Sequence, residues 1–205
     1  MPARNTVKID ESESYYHIYA RGNAKQNIFL ESTDQDYFIH LLSRYLSIKQ
    51  SENIYGRPYP HYRKEINLLA YCLMNNHFHL LIYQNEPGNM AKFMSSIMTS
   101  YSRYFNLKYK RTGALFETRY RAARIEDQRY LEHISRYIHL NPKEWQNYEY
   151  SSLRYYFETD LPEWLNPEKI TEMFDNQKQY LKFLKDYEGH KTMLQGIKRE
   201  LADSQ

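Results

Sequence analysis

The chain has a single cysteine, Cys72, among its 205 residues. That excludes an intramolecular disulfide and a four-cysteine zinc site, and it fits a reducing compartment. Glycine is scarce, at six residues, and none of them builds the Gly-rich loop that cradles a nucleotide's phosphates. No stretch approaches the roughly 20 apolar residues that a membrane span requires. Residues 1–13 are polar and mixed in charge, without the basic-then-apolar order of a secretory signal. An excess of one charge is also missing, because the net charge is only +3. The expectation is a soluble cytoplasmic protein of one compact domain with an appendage.

What is abundant is tyrosine, at 22 residues, so no tyrosine earns a catalytic role merely by being present. Charge is uneven along the chain. Between Tyr101 and Arg124 lie seven basic residues, Arg103, Lys108, Lys110, Arg111, Arg119, Arg121 and Arg124, against one acid, Glu117. Tyr101, Tyr104, Phe105, Tyr109, Phe116 and Tyr120 interleave with them. Basic side chains neutralise phosphates, and aromatic faces stack unpaired bases. The same pattern also suits a solvated helix face whose aromatics turn to the core.

The aromatic, β-branched run from Tyr15 halts at Gly22-Asn23 and reads as a strand entering a turn. Tyr37, Phe38, Leu41, Leu42, Tyr45 and Ile48 recur at helical spacing after a start signal at Thr33-Asp34. Residues 51–63 hold Gly56, Pro58 and Pro60 and form a loop. The apolar run 66–74, the Asn75-Asn76 turn and residues 77–83 make a hairpin whose first strand is buried. A second helical stripe runs from Met90 to Phe105, residues 114–125 contain a strand, and Asp127 caps a helix that Pro142 stops. The order β-α-β-β-α-β followed by a helix predicts an α+β, ferredoxin-like antiparallel sheet with helices on one face. Residues 162–167 read as a linker and 168–201 as a charged helical extension, giving domains at 1–155 and 156–205.

His77 and His79 are two apart on a strand, so both imidazoles project from one face while Phe78 points the other way. Such a pair can ligate a divalent metal, although two half-buried histidines would look the same. A third ligand is available from the last helix. Tyr137 and Asn141 are four apart on one helical face, and an Asn141 amide oxygen would complete a set suited to Mg2+ or Mn2+. Asn141 could equally cap that helix ahead of Pro142, and Tyr137 could belong to the core stripe. His17 and His139 are candidates for assisting a tyrosine nucleophile, or for structural roles.

Residues 70–82, AYCLMNNHFHLLI, resemble the HUH segment of the single-tyrosine transposases, where U is a bulky apolar residue. Residues 16–23 (YHIYARGN), 111–120 (RTGALFETRY) and 136–142 (RYIHLNP) resemble the same group, above all the REP-associated tyrosine transposases, in family order. The resemblance spans residues 14–155. It implies an HUH endonuclease that cuts one DNA strand and forms a 5′-phosphotyrosine link, with Tyr137 as nucleophile and His77, His79 and Asn141 as metal ligands. The substrate would be a DNA hairpin with a single-stranded flank, placing the protein at the nucleoid when bound. Arg103, Lys108, Lys110, Arg111, Arg119 and Arg121 would contact phosphates. Family members usually carry proline in the hairpin turn, where this chain has Asn75, which tolerates turn geometry. The family includes dimers as well as monomers, so a homodimer is admitted. A nucleic-acid-binding regulator that keeps the fold without cutting is the alternative.

Overall fold

The computed structural model describes residues 9–186. Four antiparallel strands form one sheet: β1 (Ser14–Arg21), β2 (Ile66–Met74), β3 (His77–Gln84) and β4 (Arg121–Ile125), in the order β2-β3-β1-β4. Helices α1 (Ser32–Leu46) and α2 (Asn89–Lys108) make the two crossovers, which is the expected split βαβ arrangement. α3 (Gln128–His139) follows β4, capped by the Asp127 side chain accepting from the Tyr130 N–H. Two shorter helices, α4 (Glu168–Thr171) and α5 (Gln177–Lys185), complete the described residues.

Side-chain alternation divides the molecule into two cores. Tyr16, Ile18, Phe78, Leu80 and Ile82 face α1 and α2. Leu69, Ala70, Cys72 and Leu81 face α3, α4 and α5. The expectation of helices on one face therefore holds for the two crossover helices and needs correcting for α3. The central strands are apolar on both sides, so their second face also needs cover, and α3 supplies it. A register shift between Leu68 and Ala70 lets Leu69 and Ala70 face the same core and sets Cys72 opposite His79.

The C-terminal part of the fold is tied in more closely than a linker would be. Leu165 bridges to Leu68, the Asn166 N–H donates to the Leu68 carbonyl, and Trp164 is buried. Arg136, fully buried on α3, donates to the carbonyls of Phe183 (2.9 Å) and Asp186 (3.1 Å) at the end of α5. The long charged helix expected over residues 168–201 is instead broken between α4 and α5. Its part beyond Asp186 lies outside the described residues.

The β2–β3 turn that precedes His77 is held by the loop leaving β1. The Gly22 N–H donates to the Asn76 carbonyl (2.9 Å), and the Ile28 and Phe29 N–H groups donate to the Asn75 carbonyl. A Cβ on Gly22 would sit 2.1 Å from the Gln26 carbonyl oxygen, so only glycine allows this approach. Gly22→Ala is expected to cost about 2 kcal/mol, the scale of overpacking a tight site. A lower urea midpoint with an unchanged slope would register it. A wild-type midpoint would show that the loop relaxes freely.

Candidate functional site

Strand register builds the site row by row. On β3, His79 lies opposite Tyr19 of β1 and Cys72 of β2, and His77 lies opposite Arg21 and Met74. Arg121 of β4 is also opposite Tyr19, so Arg121, Tyr19 and His79 share one row and one face. α3 crosses that face. It places the Tyr137 ring edge-on to His79, with ring centres 5.3 Å apart, and to His17 at 5.9 Å. The two β3 imidazoles are 5.0 Å apart and nearly perpendicular. α3 itself ends at His139, with Leu140 as C-cap, so Asn141 follows the helix and does not cap it. Its side chain reaches both His77 and the Tyr137 hydroxyl.

Histidine protonation is governed by burial. His79 and His17 are buried, and desolvation holds His17 down to about 3 and His79 well below the usual imidazole range. Burial brings His77 down to about 4, with Asn141 opposing the shift and the Arg21 charge adding to it. All three are neutral at physiological pH, the state in which an imidazole binds metal. Burial pushes the Tyr137 phenol up, while Asn141 and the Arg21 charge pull it back. The hydroxyl is therefore protonated at rest and needs activation.

Hydrogen bonds orient both β3 rings. His77 Nδ1 donates to the Asn76 side-chain oxygen at 2.6 Å, which leaves the Nε2 lone pair free for the site. His79 Nδ1 is 3.0 Å from His17 Nε2, and His79 Nε2 is buried without a hydrogen-bond partner. An unpartnered buried nitrogen is costly unless something binds it. Among the described residues no group of three or more His, Cys, Asp or Glu side chains could hold a metal. The set here is of another composition, two neutral imidazoles and an amide, and the orphaned nitrogen fits a divalent cation.

His139, the other residue considered as an assistant, belongs to a different network. Its Nδ1 meets the Tyr180 hydroxyl at 2.7 Å and its Nε2 meets Ser152 Oγ at 2.9 Å, so it fastens the C-terminal segments to α3. The basic segment also divides. Arg103, Lys110 and Arg119 are exposed. Lys108 is held by Asp34 at 2.7 Å and Glu31 at 3.2 Å. Arg111 donates to Gln26 at 3.1 Å. Arg121 is half-buried on the site face, with Nη1 unpartnered. Tyr101, Phe105, Phe116 and Tyr120 are buried in the α1–α2 core, and Tyr104 stacks on Tyr37 at 3.8 Å. The interleaved aromatics are thus packing residues. Arg21 is the site residue that sequence reasoning missed. Its parity with His17 on β1 was the available signal, but only strand pairing puts it beside His77.

Residues 60–141 match the family model described as transposase, IS200-like. No curated protein matches the chain in sequence. Among solved structures, the chain is similar to a REP-associated tyrosine transposase bound to a REP hairpin. The TM-score is 0.53 at 11% sequence identity, over 78% of this chain and 90% of that one. The segment similar to the IS200-like transposases holds His77, His79, Tyr137 and Asn141 together, and the solved structure shares the fold of this chain.

Proposed function

We propose that this protein is a transposase that cuts and rejoins single-stranded DNA by transesterification, with Tyr137 as the nucleophile. The observation that carries the reading is the convergence of His77 and His79 from β3 with Tyr137 of α3 and Asn141 just beyond it, on one face of the sheet. His77, His79 and Asn141 would hold Mg2+ or Mn2+, which when bound neutralises charge developing on the scissile phosphate. Tyr137 Oη attacks phosphorus as its proton leaves. The bond to the 3′-oxygen breaks, that oxygen takes up a proton, and the 5′-phosphate remains on the tyrosine. The phosphotyrosine retains the energy of a phosphoester, so a second 3′-hydroxyl can reverse the step and join strands without a nucleotide triphosphate.

Arg21 and Arg121 flank the site face and place positive charge where a phosphate would enter. Arg103, Lys110 and Arg119 are free to contact backbone phosphates, whereas Lys108 and Arg111 would first have to leave partners within the protein. The substrate class is a DNA hairpin with an unpaired flank, bound in the cytoplasm at the nucleoid. Residues 1–155 would form the catalytic unit and 156–205 an extension to it. No described helix is long and apolar enough to cross a membrane.

Incubation with Mn2+ and a hairpin oligonucleotide is expected to give an SDS-resistant adduct. A label on the 3′ side of the nick travels with the protein, and a 5′ label appears on a shortened free strand. Chelation by EDTA abolishes both products. A free 5′-phosphate without adduct would mean that water is the nucleophile, and binding without cleavage would mean a regulator.

A further inference from the structure

We propose that His17 is a positioning residue for His79, and that it sets which nitrogen His79 presents to the divalent cation. This rests on the metal-binding reading above. His17 lies one strand away on β1 and is buried, with 1% of its surface exposed, as is His79 at 3%. The two rings stack at 5.1 Å with 27° between their planes, and His17 Nε2 meets His79 Nδ1 at 3.0 Å. One proton must lie between these two nitrogens. When His79 donates it, the proton is on Nδ1 and the Nε2 lone pair is free. That Nε2 is the buried atom left without a partner. A ligating imidazole depends on such a contact at its other nitrogen, which fixes the ring and its tautomer.

The arrangement also explains why His17 is not itself a member of the ligand set through Nε2. That nitrogen is already used against His79. His77 has a parallel device in the Asn76 side chain, at 2.6 Å from Nδ1. Each β3 histidine is thus held through Nδ1 by a side chain outside the ligand set, leaving Nε2 for the metal. Asn76 supplies its contact from the hairpin turn, next to its partner in sequence. His17 supplies its contact from another strand, so its role depends on the β1–β3 register.

The test measures Mn2+ affinity of the full chain without DNA, by titration followed in electron paramagnetic resonance. His17→Phe keeps an aromatic ring in the core and loses both nitrogens, and is expected to weaken Mn2+ binding by about 10–100-fold. His17→Gln, whose amide reaches the place of Nε2, is expected to restore affinity to near the wild-type value. His17→Asn, whose amide ends at the place of Nδ1, is expected to stay weak. A role in packing alone would rank these variants by apolar volume, with phenylalanine the best tolerated. Should the phenylalanine variant fail to fold, the comparison of glutamine with asparagine decides. Equal affinities for those two, or wild-type affinity in a folded phenylalanine variant, would overturn the proposal. Wild-type protein that binds no Mn2+ overturns it together with the metal reading. Loss of the DNA adduct with Mn2+ binding intact counts only against the cleavage reading.

Discussion

Replacing Tyr137 by phenylalanine is expected to reduce the covalent DNA adduct to background while leaving the fold and metal binding in place. The substitution removes one oxygen. The ring that packs against His79 and His17 remains, so the α3–sheet contact survives. The lost contact to Asn141 costs on the order of 1 kcal/mol, the net value of a typical hydrogen bond. Transesterification has no second route, because no other oxygen of this side chain can take the 5′-phosphate. The measurement is denaturing electrophoresis of labelled hairpin DNA, paired with Mn2+ titration and thermal unfolding of the same preparation. An adduct that survives would overturn the assignment and direct attention to Tyr19, whose ring lies 6.1 Å from that of His79. Nicking without an adduct, at an undiminished rate in the variant, would instead assign the attack to water.

The largest stability effect is expected at Asp34. This fully buried carboxylate accepts from the Leu30 and Glu31 N–H groups at 2.8 and 3.1 Å, closing the first turn of α1. It also takes Lys108 Nζ at 2.7 Å and the hydroxyls of Tyr109 and Tyr104 at 2.8 and 3.1 Å, all from the far end of α2. Both oxygens therefore face donors only. Asp34→Ala is expected to destabilise the protein by about 3 kcal/mol, combining a lost cap with lost bonds to a charged acceptor. At about 2–4 °C per kcal/mol for a chain of this size, melting falls by roughly 10 °C. Asp34→Asn should rescue little, since its NH2 would confront one set of donors.

The pH dependence follows from the same contacts. Burial pushes the Asp34 carboxyl up, but Lys108, the two N–H groups and the Tyr109 hydroxyl outweigh it and hold it below the usual carboxylate range. A depressed folded-state value means stability that is present above the unfolded value, about 4, and lost as pH falls through the folded one. The difference in unfolding free energy between wild type and Asp34→Ala should accordingly shrink between pH 7 and pH 3 in urea titrations. A constant difference would show that the carboxylate's charge is not what stabilises the joint. Lys108 then acts as half of this α1–α2 joint, which reassigns one cation of the basic segment from DNA to the fold.

The periodicities and turn signals were enough to determine β1, β2, β3, α1, α2 and α3 to within a residue or two at most ends, because their apolar spacing, the Asp127 cap and Pro142 act locally. The segment before β4 was less legible, since its aromatics serve a core formed with α1 and α2. The same holds for the basic run. Whether Tyr101 or Phe116 faces a base or the interior depends on neighbours that are distant in sequence. The division of helices between the two faces was likewise hidden, as a strand apolar on both sides does not say which helix covers which side.

For the site, the alternation along β3 put His77 and His79 on one face from the sequence itself, and the spacing of Tyr137 and Asn141 made them neighbours. Those relations involve residues a few positions apart, within the reach of one strand or one helix turn. That the two pairs meet was decided only by the tertiary structure, through α3 crossing the sheet face opposite α1 and α2. The β1–β3 register brought His17 against His79 and Arg21 beside His77, across about sixty residues of chain. Local spacing fixes which side chains share a surface. Only packing decides which surfaces face each other, because that depends on burying the apolar area of every element at once.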